Sequence, residues 1–210
     1  MPEPLPLRPS LAPGPGSPYR SHQVHAGVFT ARQCQRIIDL GGSLDVAPAD
    51  LEGTDVDPVD EAIRDSSVSW IPPGPDTDWI FSKLATVATR ANRAYGFDLS
   101  GFDEDLQFTR YERPGAFYTW HQDGLDAGVH HRKLALVVQL TDPDLYEGAE
   151  LELFDVVEDS SPEQLADFRG RVRRRGTVVV FPTFEYHRVT PLRSGGRQSL
   201  VAWVSGSPFH

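Results

Sequence analysis

The sequence predicts a mainly β protein, an antiparallel sandwich or jelly roll with helices packed on one outer face. Three observations predict it. Two amphipathic helical stretches lie within the first hundred residues. After Leu99 come short runs rich in β-branched, aromatic and apolar residues, separated by Gly, Pro and Asp. No internal repeat or second-domain signal interrupts the 210 residues, a length that fills one domain.

The elements follow in order. Residues 1–18 are rich in Pro, Gly and Ser and have no periodicity, so a disordered tail is expected over residues 1–20, before a single domain at 21–210. Thr30 opens a helix as N-cap, with Gln33 placed to complete a capping box. Ala31, Cys34, Ile37 and Ile38 share one face, and Gly41-Gly42 are expected to stop the helix. Cys34 on that face reads as a packing residue. From Asp45 to Asp65 stand eight acidic residues and one basic residue, Arg64. This stretch reads as a solvated loop, or as a lid that attracts a cationic substrate; it lacks the central glycine of a calcium loop.

Asp76-Thr77-Asp78 offers caps for a second helix. Its stripe is Ile80, Leu84, Val87, Ala88, Ala91 and Tyr95, and Gly96 ends it. These helices form a helical support over residues 30–96, and a β core is expected over 104–206. The strand runs are Leu106–Tyr111, Phe117–His121, Leu134–Leu140, Leu151–Phe154, Thr177–Phe181 and Ser199–Val204. The basic cluster Arg171, Arg173, Arg174 and Arg175 reads as a solvated turn between strands.

A formal net charge of −10 argues against nucleic acid or an anionic membrane as partner. No apolar run approaches the roughly 18–20 residues of a membrane span. The N-terminus has no apolar signal core, and Cys34 is the only cysteine. Both fit a cytoplasmic protein.

The stretch YTWHQDG carries the chemistry. Residues two apart on a strand point to one face, so His121 and Asp123 can aim at one point. Alone, the spacing is a weak signal, and the pair reads as polar residues on a sheet rim. His187 follows an apolar strand and a Phe-Pro turn in GTVVVFPTFEYHRVTP; alone, it reads as a loop or core histidine. Together, two imidazoles and one carboxylate cap one face of an octahedral iron(II) and leave three positions open. A structural zinc site would close its shell with four ligands, usually including thiolates. Arg197 opens the last apolar strand. It reads either as a surface arginine or as a bidentate clamp for the far carboxylate of a dicarboxylic co-substrate. Arg193, on the loop just before, is the competing candidate.

The stretch from about Leu106 to Phe209 resembles the prolyl 4-hydroxylase-like branch of iron(II)/2-oxoglutarate-dependent dioxygenases. The order His-x-Asp, His, Arg carries the resemblance. So do the segments RKLALVVQLTDPDLYEGAELEL, RGTVVVFPTFEYHRVTP and RQSLVAWV. The resemblance implies a double-stranded β-helix (jelly roll) with N-terminal supporting α-helices. It implies His121, Asp123 and His187 as iron ligands and Arg197 as the residue binding the C5 carboxylate of 2-oxoglutarate. Tyr111, Gln139 and Trp203 are implied near the co-substrate and metal, and Tyr118 and Trp120 at the substrate mouth. Gly148-Ala149 stands where many relatives have Gly-Gly, a change expected to affect a turn. Because Asp123 is present, hydroxylation is favoured over halogenation.

The implied cofactors are Fe(II), 2-oxoglutarate and O2, with ascorbate as an optional reductant. The implied reaction hydroxylates an unactivated C–H as 2-oxoglutarate becomes succinate and CO2. The implied partner is an amino-acid-like small molecule or a peptide or protein side chain. Two other readings are a non-catalytic jelly-roll binding module with a vestigial site and a metal-dependent hydrolase. The hydrolase would not need Arg197.

Overall fold

The structure, a computed structural model, describes residues 19–48, 63–124 and 128–207. The expected tail at 1–18 and most of the acidic segment (49–62) lie outside the described residues.

Two layers of antiparallel sheet make the jelly roll. The first half of the chain supplies β1 (Gln23–His25), α1 (Ala31–Gly42), β2 (Ala47–Pro48), β3 (Ser67–Ile71), α2 (Asp78–Tyr95) and β4 (Leu99–Gly101). Next come β5 (Leu106–Tyr111), β6 (Tyr118–His121), β7 (Arg132–Gln139), β8 (Tyr146–Gly148) and β9 (Leu151–Leu153). After α3 (Phe154–Asp159) and α4 (Pro162–Val172) the chain closes with β10 (Val178–Pro182), β11 (His187–Val189), β12 (Leu192–Gly195) and β13 (Arg197–Gly206). The major sheet runs β1-β10-β7-β13-β5-β3-β2, with β4 beside β13. The minor layer holds β6-β11-β9 and the pair β12-β8.

The strand period of two explains why the central strands read as unbroken apolar runs. On β7, Leu134, Leu136 and Val138 face the helices, where they join Ile37, Ile80 and Leu84 in one core cluster. Their neighbours Ala135 and Val137 face the minor sheet and join Leu151, Leu153 and Phe181 in a second cluster. On β13, Leu200, Ala202 and Val204 belong to the helix side. Arg197, Ser199, Val201 and Trp203 therefore face inward, between the sheets.

The capping box at Thr30 is present, with Thr30 Oγ1 accepting from the Gln33 backbone and Gln33 Oε1 from that of Thr30. Gly96 ends α2 in the left-handed conformation, φ 71°. Gly41 and Gly42, expected to stop α1, are instead its last two residues. Gly41 is there for contact, because a Cβ would overlap the Phe108 ring.

Three expectations need correction. The stretch read as helical support also supplies β3, which pairs with β5 inside the major sheet. The segment after β9 is helical: α4 starts at a capping box from Ser161 and Gln164, with Pro162 in its first turn. The basic cluster is accordingly no solvated turn between strands. Arg171 lies on α4 and pairs with Asp167, while Arg173 caps the helix and bonds Glu150 Oε1 at 3.0 Å. At Gly148-Ala149 both residues are left-handed, with φ 78° and 47°. Ala149 thus holds a conformation that glycine adopts at lower cost.

Candidate metal centre

Strand pairing assembles the site. His121 on β6 and His187 on β11 are direct cross-strand partners. Asp123 follows β6, and its backbone N–H donates to the Thr183 carbonyl at 2.9 Å, which pins it beside the turn leading into His187. Gly124 is required here, since a Cβ would overlap the Thr183 side chain. One nitrogen from each histidine and one Asp123 oxygen lie within 4.8 Å of one another.

Both imidazoles are oriented for metal binding. His121 Nδ1 lies 2.8 Å from the Thr119 carbonyl, and His187 Nδ1 lies 3.0 Å from the Glu185 carbonyl. A carbonyl only accepts, so each Nδ1 carries the proton and each Nε2 keeps its lone pair. The Nε2 atoms face Asp123, at 3.4 Å from Oδ1 and 3.6 Å from Oδ2. Burial raises the Asp123 carboxyl, but His187, His121 and the Trp203 N–H outweigh it and hold it below the usual carboxylate range. Burial, with His121 beside it, pushes His187 down to about 4. A deprotonated carboxylate and neutral imidazoles are the forms a metal binds.

The three ligands open on a cavity of about 250 Å³. Arg197 lines it from β13 and is 1% exposed. Its Nε and Nη2 donate to Gln139 Oε1 at 3.2 and 2.9 Å. Its Nη1 is buried and has no hydrogen-bond partner among the described residues. Tyr111, its cross-strand partner, lies beside the guanidinium, 5.4 Å from ring centroid to Cζ. Burial pushes the Tyr111 phenol up even though Arg64 and Arg197 pull it down. The unmet donor, with Tyr111 beside it, fits an entering carboxylate.

Of the other anticipated site residues, Tyr118 stacks on His121 with ring centroids 3.5 Å apart. Gln139 is not among the residues lining the cavity and accepts from Arg197. Trp203 reaches Asp123. Trp120 points to the opposite face of β6 and does not line the cavity; its ring packs against Phe154 and under Arg188. Arg193 is on exposed β12, 3.8 Å from Glu147. Sequence reasoning missed Arg64 as a cavity residue. Its only local signal was an isolated positive charge in an acidic stretch.

The 2OG-Fe(II) oxygenase superfamily model matches residues 106–205. That match covers just under half of the 210 residues. The donor set of two imidazoles and one carboxylate suits that family's iron(II). The chain is 33% identical over 102 residues to a PKHD-type hydroxylase of Klebsiella pneumoniae, covering 46% of this chain and 41% of that protein. With a PKHD-type hydroxylase of Synechococcus elongatus it shares 34% over 103 residues, 47% of this chain and 42% of the relative. The match thus spans about two fifths of these relatives. Among solved structures, a Pseudomonas putida prolyl-4-hydroxylase superposes with TM-score 0.61 at 23% identity, covering 89% of this chain and 93% of that one. A Trichoplax adhaerens prolyl hydroxylase in complex with a hypoxia inducible factor peptide fragment gives 0.67 at 16%, covering 89% and 84%. These superpositions show that the chain has the jelly-roll fold of those two structures. Among its described residues, no helix is long and apolar enough to cross a membrane.

Proposed function

We propose that this protein is an Fe(II)- and 2-oxoglutarate-dependent dioxygenase. It hydroxylates an unactivated C–H of an amino-acid side chain, whether free, peptidyl or in a pathway small molecule. One observation carries the reading: an open three-ligand site shares its cavity with a buried arginine whose Nη1 is unmet. A binding module needs no such pairing, and a metal-dependent hydrolase needs no arginine clamp.

His121, Asp123 and His187 would hold the iron. With 2-oxoglutarate and O2, bound iron supplies the oxidation: one oxygen atom enters the substrate, and succinate and CO2 leave. The protein's own residues do the positioning. Arg197, braced by Gln139, binds the far carboxylate of the co-substrate, and Tyr111 adds a hydroxyl beside it. The indole of Trp203 holds the Asp123 carboxylate in place. Tyr118, stacked on His121, shapes the space next to the metal, where water must be excluded. The reading places the enzyme in the cytoplasm, with ascorbate as an optional reductant. It takes residues 21–210 as a single domain.

The test is succinate release from 2-oxoglutarate with added Fe(II) and O2. It is followed by a mass-spectrometric screen of amino acids and peptides for gain of one oxygen. Oxygen-independent turnover, or no 2-oxoglutarate consumption with any candidate, would overturn the reading.

A further inference from the structure

We propose that Arg64 forms an anion subsite, beside the metal centre, for a carboxylate on the prime substrate. The inference rests on the dioxygenase reading and names the class of substrate that reading leaves open.

Arg64 is 7% exposed and lines the same cavity as the metal ligands. Its Nε donates to Ser66 Oγ at 2.7 Å, while its Nη2 is buried without a hydrogen-bond partner. No carboxylate pairs with it among the described residues. A buried guanidinium left so is costly unless an anion completes it. The backbone fixes its place. Arg64 bridges Tyr118, Thr119 N–H donates to the Ile63 carbonyl, and Asp65 and Phe117 exchange both their backbone hydrogen bonds. The Arg64 side chain is thereby laid over the Tyr118 ring at 4.6 Å, and that ring lies on His121 at 3.5 Å. One ring, that of Tyr118, separates the guanidinium from the ligand His121, which puts it in reach of a substrate whose reacting carbon is at the iron.

Charge points the same way. Among the described residues, three guanidinium groups line the cavity against one carboxylate, Asp123. Arg132 is already met by Glu104. Iron(II), Asp123, dianionic 2-oxoglutarate and Arg197 together come to zero. Arg64 then leaves the loaded site one positive charge over, which a monocarboxylate substrate neutralises. This cationic cavity lies in a chain of net charge −10, so the bulk charge does not account for it. It also points away from the cationic substrate that the acidic segment suggests.

The test uses the full chain loaded with Mn(II), in place of iron, and 2-oxoglutarate. The probes are N-acetyl amino acids and N-acetyl dipeptides, each as free acid and as carboxamide, titrated by calorimetry. At least one acid is expected to bind about thirtyfold or more tighter than its amide. Preference among N-acetyl amino acids marks a small-acid substrate; preference only among the dipeptides marks a peptide C-terminus. Arg64→Gln should erase the preference, and Arg64→Lys should restore part of it. That rescue separates a charge contact from a collapse of the Tyr118 stack. No acid-over-amide preference in the wild type, or its survival in Arg64→Gln, overturns the proposal. So does a larger loss of 2-oxoglutarate affinity than of acid-probe affinity in Arg64→Gln, which would assign Arg64 to the co-substrate. Succinate release is measured separately, so a failed subsite and a failed dioxygenase reading give different results.

Discussion

Trp203 Nε1 donates a 2.9 Å hydrogen bond to Asp123 Oδ2, across the gap between β13 and the end of β6. The indole is itself held, with the Arg132 guanidinium 3.8 Å over its ring. One carboxylate oxygen is thus engaged by the protein, and the carboxylate plane is set before a metal arrives.

Trp203→Phe keeps the ring and loses the N–H. It should weaken Fe(II) binding about tenfold or more, read by metal titration of the folded variant. Wild-type affinity would show that the indole packs against Asp123 without orienting it.

Acid should destabilise the metal-free protein through His187. The unfolded chain takes up this proton near the ordinary 6.5, the folded chain only near about 4. Between those values the unfolded state binds more protons, so stability falls as pH falls. The span corresponds to about 3 kcal/mol at most. Asp123, held below the usual range, adds a loss of the same sign at still lower pH. Urea unfolding at pH 7 and pH 5 should show the drop, and His187→Gln should flatten it. An unchanged slope in that variant would remove His187 from the account.

Arg197 and Arg193 should behave differently. Arg197→Ala removes a buried guanidinium that an anionic co-substrate would meet, a loss of about 3–5 kcal/mol. The apparent KM for 2-oxoglutarate should rise a few hundredfold or more, with iron affinity nearly unchanged. Arg193, with a side chain 71% exposed, should be silent when changed to Ala. The reverse pattern would mean that the other arginine binds the co-substrate.

Gly41→Ala tests packing against propensity. Alanine is the better helix former by about 1 kcal/mol. The new Cβ, however, would overlap the fully buried Phe108 ring. Overpacking of this kind costs about 1–3 kcal/mol, so a net loss of stability is expected in chemical denaturation. A gain would mean that α1 and β5 can part at no cost.

The sequence made the centre of the fold legible because its signals are local. Leu134–Leu140 announced β7 by composition, and the His-x-Asp spacing announced a shared face through the strand period. What stayed hidden depends on distant partners. β3 is a five-residue run whose strand character comes from its ladder with β5. α4 did carry a capping signal at Ser161 and Gln164, but its dense charge masked the buried Phe168 and Val172. Arg64 joins the cavity only because residues 63–65 pair with the strand that carries His121. Trp120 was misplaced by its proximity to His121 in the chain, although adjacent strand residues face opposite ways.

The acceptors that orient both metal-facing histidines are main-chain carbonyls, at Thr119 and Glu185. A carbonyl is present whatever side chain stands there. A change of side chain at either position therefore leaves that histidine's tautomer unaltered, provided the strands keep their register. Any cost of substitution at Glu185 should come from its buried carboxylate, which accepts from the Tyr19 hydroxyl, and not from the histidine. Inserting or deleting one residue between Thr119 and His121, or between Glu185 and His187, would be fatal. For the two tautomers, then, what heredity must guard is chain length and strand pairing, not the side chains at Thr119 and Glu185.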